Sequence, residues 1–286
     1  MSNVVTQEVK RKIYEETFDP LRYTNEFYKP KPLSVANEDL GELESFMRTA
    51  QICILQSLIA STFGREDLKM LELGTGPSLA NALIALSTNS ISSIDYSEFL
   101  EKNRKIIIHD VNNITKSEMD WTPFAEMLAT FYHVENQLDY VRNLFKKIKI
   151  FSNKVFMLDL KRVDPFGDES VPWGTYDIVI TTSTISEAVC DIEEYKATFS
   201  LINKLLKVNG QLILGDYVGA SYWKSYSTCF PLTTPSTLDW WENALHSHGF
   251  QMQGLTSLNC KHIGELQDAM PVEYWCCIRA VKTDQC

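Results

Sequence analysis

The sequence predicts an α/β protein with a doubly wound, mostly parallel sheet whose last strand runs antiparallel to the others. From residue 68 onward, short apolar runs alternate with helix-like segments, and polar residues concentrate where the apolar runs end. Strands that alternate with helices form a parallel sheet covered on both faces, and such a sheet binds ligands at the carboxyl ends of its strands. The 286 residues, 44% of them hydrophobic, suffice for one substantial core.

The strands are predicted from short apolar runs that end in a turn or a polar residue. Parallel strands are expected at 68–73, 91–95, 155–158, 176–181 and 211–216, and a final pair at 251–258 and 273–281. Helices are expected around 78–86, 126–147, 192–207 and 236–246. The polar connection between the last two strands has a length that suits an antiparallel hairpin.

The first 66 residues are predicted to form a helical lid over the strand ends. Helix-like stretches at 4–17 and 38–63 flank an Asp19-Pro20 break and an aromatic, proline-rich segment that reaches Pro32. The chain is therefore divided into a lid, 1–66, and an α/β unit, 67–286. An insert at 106–149 is expected to contribute a packing helix to that unit.

Charge and composition restrict the class of partner. A formal net charge of -10 argues against an extended nucleic-acid surface, which needs many Lys and Arg side chains. The N-terminus lacks a signal-peptide pattern, and the longest apolar stretch, 52–60, is too short to span a bilayer. The seven cysteines are scattered without metal-ligand spacing. We therefore expect a soluble, cytoplasmic monomer that binds no nucleic acid, no membrane and no metal.

The loop after the first predicted strand, Gly74-Thr75-Gly76-Pro77, is the clearest ligand-binding motif. Gly74 and Gly76 permit a close approach of the backbone to a ligand, with Thr75 between them, and the helix that follows offers free N–H groups. A dinucleotide fingerprint needs a third glycine where Leu79 stands. The loop therefore favours S-adenosylmethionine, which has no pyrophosphate, over the alternative of a nicotinamide dinucleotide and an oxidoreductase.

Acidic residues near successive strand ends complete the predicted cofactor site. Glu72 is expected to meet the ammonium group of the cofactor, and Asp95, 95 − 74 = 21 positions beyond Gly74, to accept its ribose hydroxyls. Asp159 and the backbone N–H of Leu160 are expected to hold the adenine. In the alternative interpretation, the turn is an ordinary strand-to-helix connection and the acids cap helices.

Several separate motifs resemble the nicotinamide, phenylethanolamine and thioether/indolethylamine methyltransferase family over nearly the whole chain. They are Asp19-Pro20-x-x-Tyr23 with Tyr28-Lys29, Gly74-x-Gly76-Pro77, Asp95-Tyr96-Ser97, Asp120-Trp121-x-Pro123, and Leu205-Leu206-Lys207-x-x-Gly210 leading to Asp216 and Ser221-Tyr222. The resemblance implies a seven-stranded, Rossmann-like methyltransferase sheet with N-terminal lid helices. It adds Tyr23, Tyr28, Tyr96 and Thr182 to the expected cofactor contacts. Ala80 and Leu100 depart from the Tyr and Asn that the family often has there.

For the methyl acceptor, the resemblance implies two acidic contacts. Asp216 matches the position that holds the carboxamide in nicotinamide-methylating members, and Glu187 lies near an acidic position that amine-methylating members use. Either carboxylate would orient an amine and stabilise the ammonium product, as would Asp268. Tyr222 and Trp223 are expected to stack on a planar acceptor.

These residues predict N-methylation of a small amine, such as an arylalkylamine or a pyridine. Nicotinamide itself is disfavoured, because Ala220, Trp223 and Cys229 replace residues that contact it in the family. Two alternatives remain open. One is S-methylation of a small thiol or thioether, and the other is a catalytically silent homologue that binds the cofactor.

Overall fold

The computed structural model describes residues 7–28, 41–225 and 228–284. The strands in these residues are β1 (Leu68–Leu73), β2 (Ile91–Glu98), β3 (Ser152–Met157), β4 (Tyr176–Thr182), β5 (Leu206–Val218), β6 (Tyr222–Ser225), β7 (Thr228–Pro231), β8 (Phe250–Asn259) and β9 (Tyr274–Lys282). Seven of them form one sheet in the order β3-β2-β1-β4-β5-β9-β8, while β6 and β7 form a separate hairpin.

The sheet has the predicted topology. Strands β1 to β5 are parallel to one another, and β9 is antiparallel to both of its neighbours, β5 and β8. The doubly wound, seven-stranded prediction with an antiparallel last strand is therefore confirmed. Several strand boundaries differ from the prediction. The largest differences are that β2 extends three residues further, to Glu98, that β3 begins three residues earlier, at Ser152, and that β5 begins at Leu206.

Helices cover both faces of the sheet and precede it. They are α1 (Gln7–Thr17), α2 (Pro20–Phe27), α3 (Glu42–Thr62), α4 (Ala80–Ser87), α5 (Glu101–Asn113), α6 (Thr122–Phe131), α7 (Gln137–Phe151), α8 (Thr184–Ala188), α9 (Ile192–Leu205), α10 (Trp240–His246) and α11 (Gly264–Ala269). None of the helices in the described ranges is long and apolar enough to cross a membrane.

The single helix expected around 126–147 is two helices. The chain leaves α6 through His133, which has a positive φ of 52°. It enters α7 at Asn136, whose side chain accepts a hydrogen bond from the Asp139 backbone nitrogen at 3.2 Å. Such a cap satisfies a backbone N–H that would otherwise be unpaired at a helix start.

The predicted break at Asp19-Pro20 is the start of α2. Asp19 accepts a hydrogen bond from the Arg22 backbone nitrogen at 3.1 Å, and Pro20 is the first helical residue, where its missing N–H costs nothing. The expected helix at 38–63 is present as α3, while residues 4–6 and 29–40, including Lys29 and Pro32, lie outside the described residues.

Alternating residues of the central strands pack into two separate cores. Met70 and Ile178 belong to the core that α3, α4, α6 and α7 cover, whereas Leu71 and Val179 belong to the core under α9 and α10. Each fully buried side chain of this size contributes roughly 1.5–3 kcal/mol. The two cores hold β1, β2 and β4 rigidly, so that their carboxyl ends form one edge beside α1, α2 and α3.

Candidate active site

A first cavity, here called the donor cavity, opens at the carboxyl ends of β1, β2 and β4. It contains about 960 Å³ of space not occupied by protein atoms, including the solvent at its open mouth. Its lining includes Lys10, Arg11, Tyr14, Phe18, Tyr23 and Tyr28 from the N-terminal segment, and Gly74, Thr75, Gly76, Glu98, Phe99, Asn103, Asp159, Leu160, Thr182 and Glu187 from the α/β unit. The predicted loop therefore lies in a cavity with helices on its opposite wall.

The loop after β1 requires glycine at Gly74. Its φ is +73°, and an added Cβ would lie 2.0 Å from the Cγ2 of Thr184. Thr184 in turn donates from Oγ1 to the Gly74 carbonyl oxygen at 2.8 Å. Gly76 also has a positive φ, +63°, but no atom lies within 4 Å of its would-be Cβ. The bare backbone of this loop therefore forms the floor of the donor cavity.

Glu98, rather than Asp95, is the acid at the end of β2. Asp95 pairs with Leu71 inside the sheet and accepts from the Tyr176 hydroxyl at 2.8 Å, outside the lining of the cavity. Glu98 lines the cavity and accepts from the Gly76 backbone nitrogen at 2.8 Å. The prediction for Asp95 is corrected to Glu98, because β2 runs three residues beyond its predicted end.

The same shift of three positions corrects two other contacts. Tyr96 is fully buried in the core, with its hydroxyl 2.6 Å from the Ser152 Oγ, and Phe99 lines the cavity instead. The Asn that Leu100 was expected to replace is present as Asn103, which donates to Glu98 at 3.1 Å. Asn103 and Leu100 both line the donor cavity.

Orphaned polar atoms around the donor cavity fit S-adenosylmethionine. Glu72 is buried behind the loop, outside the lining of the donor cavity, where Oε1 accepts from Asn81 at 2.8 Å and Oε2 has no partner among the described residues. Burial raises the pKa of Glu72 to about 8. A cationic ligand group beside this carboxyl would favour its charged form. Thr75 Oγ1 and Asn103 Oδ1, also buried, lack partners in the described chain as well. These atoms could meet the ammonium and hydroxyl groups of the cofactor.

Asp159, Leu160 and Thr182 lie in the lining of the donor cavity, as expected. A guanidinium nitrogen of Arg11 lies 3.4 Å from a carboxylate oxygen of Asp159, and the same guanidinium lies 4.9 Å from the ring centroid of Phe99. Thr182 accepts from the Asn81 amide at 3.1 Å. Arg11 therefore brings α1 against the part of the site that is expected to hold the adenine.

A second cavity, here called the acceptor cavity, adjoins the first and contains about 780 Å³ of empty space. Tyr23, Tyr28, Thr182 and Glu187 line both cavities. The remaining lining is mostly apolar and aromatic, and includes Phe27, Phe46, Met47, Ala50, Ile54, Tyr217, Trp223, Leu266, Met270 and Trp275, together with Gln51, Asn81, Ser183 and Lys224. A flat apolar ligand would fit between these walls, with one end at the shared residues.

Glu187 is the acid at the junction of the two cavities. Burial raises its pKa to about 8, with a smaller contribution from the charge of Asp216. A hydrogen bond from Tyr14 and the charge of Lys10 act in the opposite direction. Lys10 is itself buried, which lowers its pKa to about 8, and it donates to the Thr233 hydroxyl at 3.4 Å. Glu187 can therefore exchange a proton near neutral pH.

Asp216 does not line either cavity, which corrects its predicted role as an acceptor contact. It is completely buried on the face of β5 that packs on α8 and α9, while Tyr217 points from the other face into the acceptor cavity. Its oxygens accept from the Ser186 hydroxyl at 2.7 Å, from the Tyr217 backbone nitrogen at 2.8 Å and from the Tyr195 hydroxyl. Asp216 therefore positions α8, which carries Glu187.

Of the other three predicted acceptor contacts, only Trp223 lines the acceptor cavity, and Tyr222 and Asp268 do not. Trp223 lines the acceptor cavity, stacks on Phe230 at 4.3 Å and donates to the Tyr14 hydroxyl at 3.0 Å. Tyr222 lies outside the lining, with Lys224 5.1 Å above its ring. Asp268 is exposed on α11 and also lies outside the lining.

Sequence reasoning missed the cavity residues of α1 and α3. Glu98 could have been found as a second acid after Asp95, but Phe46 and Gln51 gave no signal beyond the amphipathic pattern of α3. Among the described residues, no group of His, Cys, Asp and Glu could hold a metal ion.

Comparisons with known proteins identify one family, and solved structures share the fold. The model of the NNMT/PNMT/TEMT family matches residues 6–274. Indolethylamine N-methyltransferase of Oryctolagus cuniculus is 23% identical over 203 residues, which cover 70% of each chain. The crystal structure of the cyclase SpnF has a TM-score of 0.54 at 12% identity, covering 98% of this chain and 96% of its own. A Galdieria sulphuraria protein described as a sarcosine dimethylglycine methyltransferase has a TM-score of 0.50 at 11% identity, covering 85% and 87%.

Proposed function

The chain belongs to the NNMT/PNMT/TEMT family and is an S-adenosylmethionine-dependent methyltransferase, and we propose that its acceptor is the nitrogen of a small amine. The relative from Oryctolagus cuniculus is named for N-methylation of an indolethylamine. The acceptor proposed here is likewise a small arylalkylamine, held in the acceptor cavity.

The observation that carries the proposal is the position of Glu187. Its carboxyl group lies where the two cavities meet, and burial raises its pKa to about 8. An amine enters a site mostly as an ammonium ion at neutral pH and must lose a proton before it can accept a methyl group. A carboxylate whose pKa is close to the working pH is well suited to take that proton.

When bound, S-adenosylmethionine supplies an electrophilic methyl group, and the remaining work falls to the residues of this chain. Glu187 accepts the proton of the ammonium group and holds the nitrogen at the shared wall. The rings of Tyr23 and Trp223 line the acceptor cavity, and an ammonium group over the face of such a ring is stabilised by about 0.5–2 kcal/mol. Holding the nitrogen in line and excluding water lowers the barrier through proximity. The helices α1 and α2 would close this wall.

Two other functions remain as outcomes of the test. S-methylation of a small thiol would use the same cavities but would need no buried carboxylate, so the position of Glu187 favours the amine. A catalytically silent homologue would bind the cofactor without turnover. The net charge of -10 and the small volume of the acceptor cavity support a small molecule rather than a nucleic acid as the acceptor.

The test measures release of S-adenosylhomocysteine with a panel of arylalkylamines, pyridines, imidazoles and small thiols. Wild type is compared with Glu187→Gln, which keeps the shape of the side chain, and with Glu193→Gln, an exposed control on the neighbouring α9. We expect amine turnover whose kcat/KM falls about 100-fold or more in Glu187→Gln and stays unchanged in Glu193→Gln. Turnover of thiols alone, or of amines equally well by Glu187→Gln, would reject the proposal.

A further inference from the structure

Gln51 is a polar residue on an otherwise apolar helix face. Met47, Ala50 and Ile54 of α3 line the acceptor cavity beside it, and their spacing places all four on one side of the helix. The Gln51 side chain is only 6% exposed. A short amide therefore lies in the wall of the cavity among residues that bury purely apolar surface.

The Oε1 atom of Gln51 has no hydrogen-bond partner among the described residues. Other polar side chains of the cavity are paired, since Asn81 donates to Thr182 at 3.1 Å and Glu187 accepts from Tyr14. A buried polar atom without a partner destabilises a fold, and a ligand that pairs with it recovers that loss. The unpaired Oε1 of Gln51 therefore indicates a polar group on the ligand.

The chemistry of an amide favours a ligand group that both donates and accepts, and a hydroxyl is the smallest such group. Gln51 presents an oxygen that accepts, and turning the amide over would present an NH2 group that donates. A hydroxyl can donate to the first and accept from the second, so it satisfies the side chain in either orientation. A group that only accepts or only donates would satisfy one orientation alone.

The position of Gln51 indicates which part of the acceptor carries the hydroxyl. Glu187 lines both cavities, whereas Gln51 lines the acceptor cavity only, so the amide lies on a wall that the donor cavity does not share. Phe46 and Trp275, whose rings meet edge to face at 6.4 Å, line the same cavity. An aromatic ring packed against these side chains would place its substituents near Gln51.

We infer that Gln51 is a specificity-determining residue that holds a hydroxyl group on the ring of the methyl acceptor. The inference rests on the proposed function, because it takes Glu187 as the site of the amine. The enzyme then selects ring-hydroxylated arylalkylamines over analogues that lack the hydroxyl.

The test compares tyramine with phenethylamine, which lacks the ring hydroxyl, in wild type, Gln51→Leu and Gln56→Leu. Gln56 is an exposed glutamine on the same helix and serves as the matched control. We expect wild type and Gln56→Leu to prefer tyramine about tenfold or more in kcat/KM, and Gln51→Leu to lose the preference. Gln51→Leu should melt no lower than wild type, because it removes an unpaired buried group.

A binding measurement separates the two hypotheses. Calorimetric titration of both amines in the presence of S-adenosylhomocysteine reports on Gln51 whether or not turnover occurs. Weaker tyramine binding in Gln51→Leu without turnover in any variant would reject the proposed function and retain the hydroxyl contact. Equal discrimination between the two amines in wild type and Gln51→Leu, by turnover or by binding, would overturn the inference.

Discussion

Ser186 donates to Asp216 twice, from its hydroxyl at 2.7 Å and from its backbone nitrogen at 3.3 Å. Ser186 immediately precedes Glu187 on α8, a helix of five residues. Two hydrogen bonds to a completely buried side chain therefore fix the start of the segment that carries the proposed proton acceptor. The acid on β5 determines where the acid at the cavity junction lies.

Replacing Asp216 should therefore lower turnover without removing an acceptor contact. In Asp216→Asn, the amide cannot accept from both Ser186 and Tyr195, and an unpaired buried group costs about 1–3 kcal/mol. We expect lower stability in urea and a reduced kcat, with KM for the acceptor little changed. Asp177→Asn, a buried acid paired with Lys207 elsewhere in the sheet, should lose stability but keep its kcat. A rise in KM alone would instead indicate a direct contact by Asp216.

Replacing each of the two acids of β2 by its amide tests the corrected cofactor contact. Glu98→Gln should weaken binding of S-adenosylhomocysteine about tenfold or more, because hydrogen bonds to a charged group are worth roughly 1.5–3 kcal/mol. Asp95→Asn should leave the affinity nearly unchanged and lower stability, since it weakens the contacts with Tyr176 and Lys69 inside the sheet. Calorimetry and urea unfolding of both variants check this. The opposite ranking of affinities would restore Asp95 as the ribose contact.

The two glycines of the loop should differ in their tolerance of a methyl group. Gly74→Ala would force a Cβ to within 2.0 Å of Thr184, so the loop must move and cofactor binding should be lost. Gly76→Ala meets no atom within 4 Å and should cost only the left-handed backbone strain, about 1–2 kcal/mol. Calorimetry with S-adenosylhomocysteine measures both, with circular dichroism as the check on folding. Equal affinities in the two variants would contradict the prediction.

The stability of the ligand-free protein should fall as pH rises through the neutral range. Burial raises the pKa values of Glu72 and Glu187 from 4.5 to about 8, so between these values the folded state keeps protons that the unfolded state has lost. Each such group contributes stability that is fully present below pH 4.5 and is lost through pH 8, by at most about 1.4 kcal/mol per pH unit.

Urea unfolding at several pH values measures this slope. Glu72→Gln and Glu187→Gln should each flatten it, because glutamine stays neutral at every pH, whereas Glu193→Gln should leave it unchanged. The difference between each variant and wild type isolates one carboxyl group from all others. A slope in Glu72→Gln equal to that of wild type would show that Glu72 titrates as an ordinary glutamate.

The sequence predicted the sheet well because strand identity depends on local apolar runs. The end of β2 was harder to predict, since Asp95, Ser97 and Glu98 are all polar and the parallel partners that extend the strand lie far along the chain. An acid does end β2, but it is Glu98, the last acid of the strand, and not Asp95, the first.

The acceptor site was predicted less completely, because it depends on which faces of several elements converge. The alternation along β5 separates Asp216 from Tyr217 but does not reveal which of them faces a ligand. That assignment follows from the packing of α8 and α9 on one side and α3 on the other. The contribution of Gln51 likewise depends on how α3 lies across the sheet, which no local pattern encodes.

The placement of β9 between β5 and β8 has a consequence for protein synthesis. A ribosome makes β9 after both of its neighbours, so the nascent chain holds two unpaired strand edges until residues 274–282 have emerged. Exposed edges of this kind pair with other chains, and contacts between distant residues form slowly. Premature termination before β9 should yield a product that aggregates. During normal translation, chaperones should bind the nascent chain until β9 has emerged.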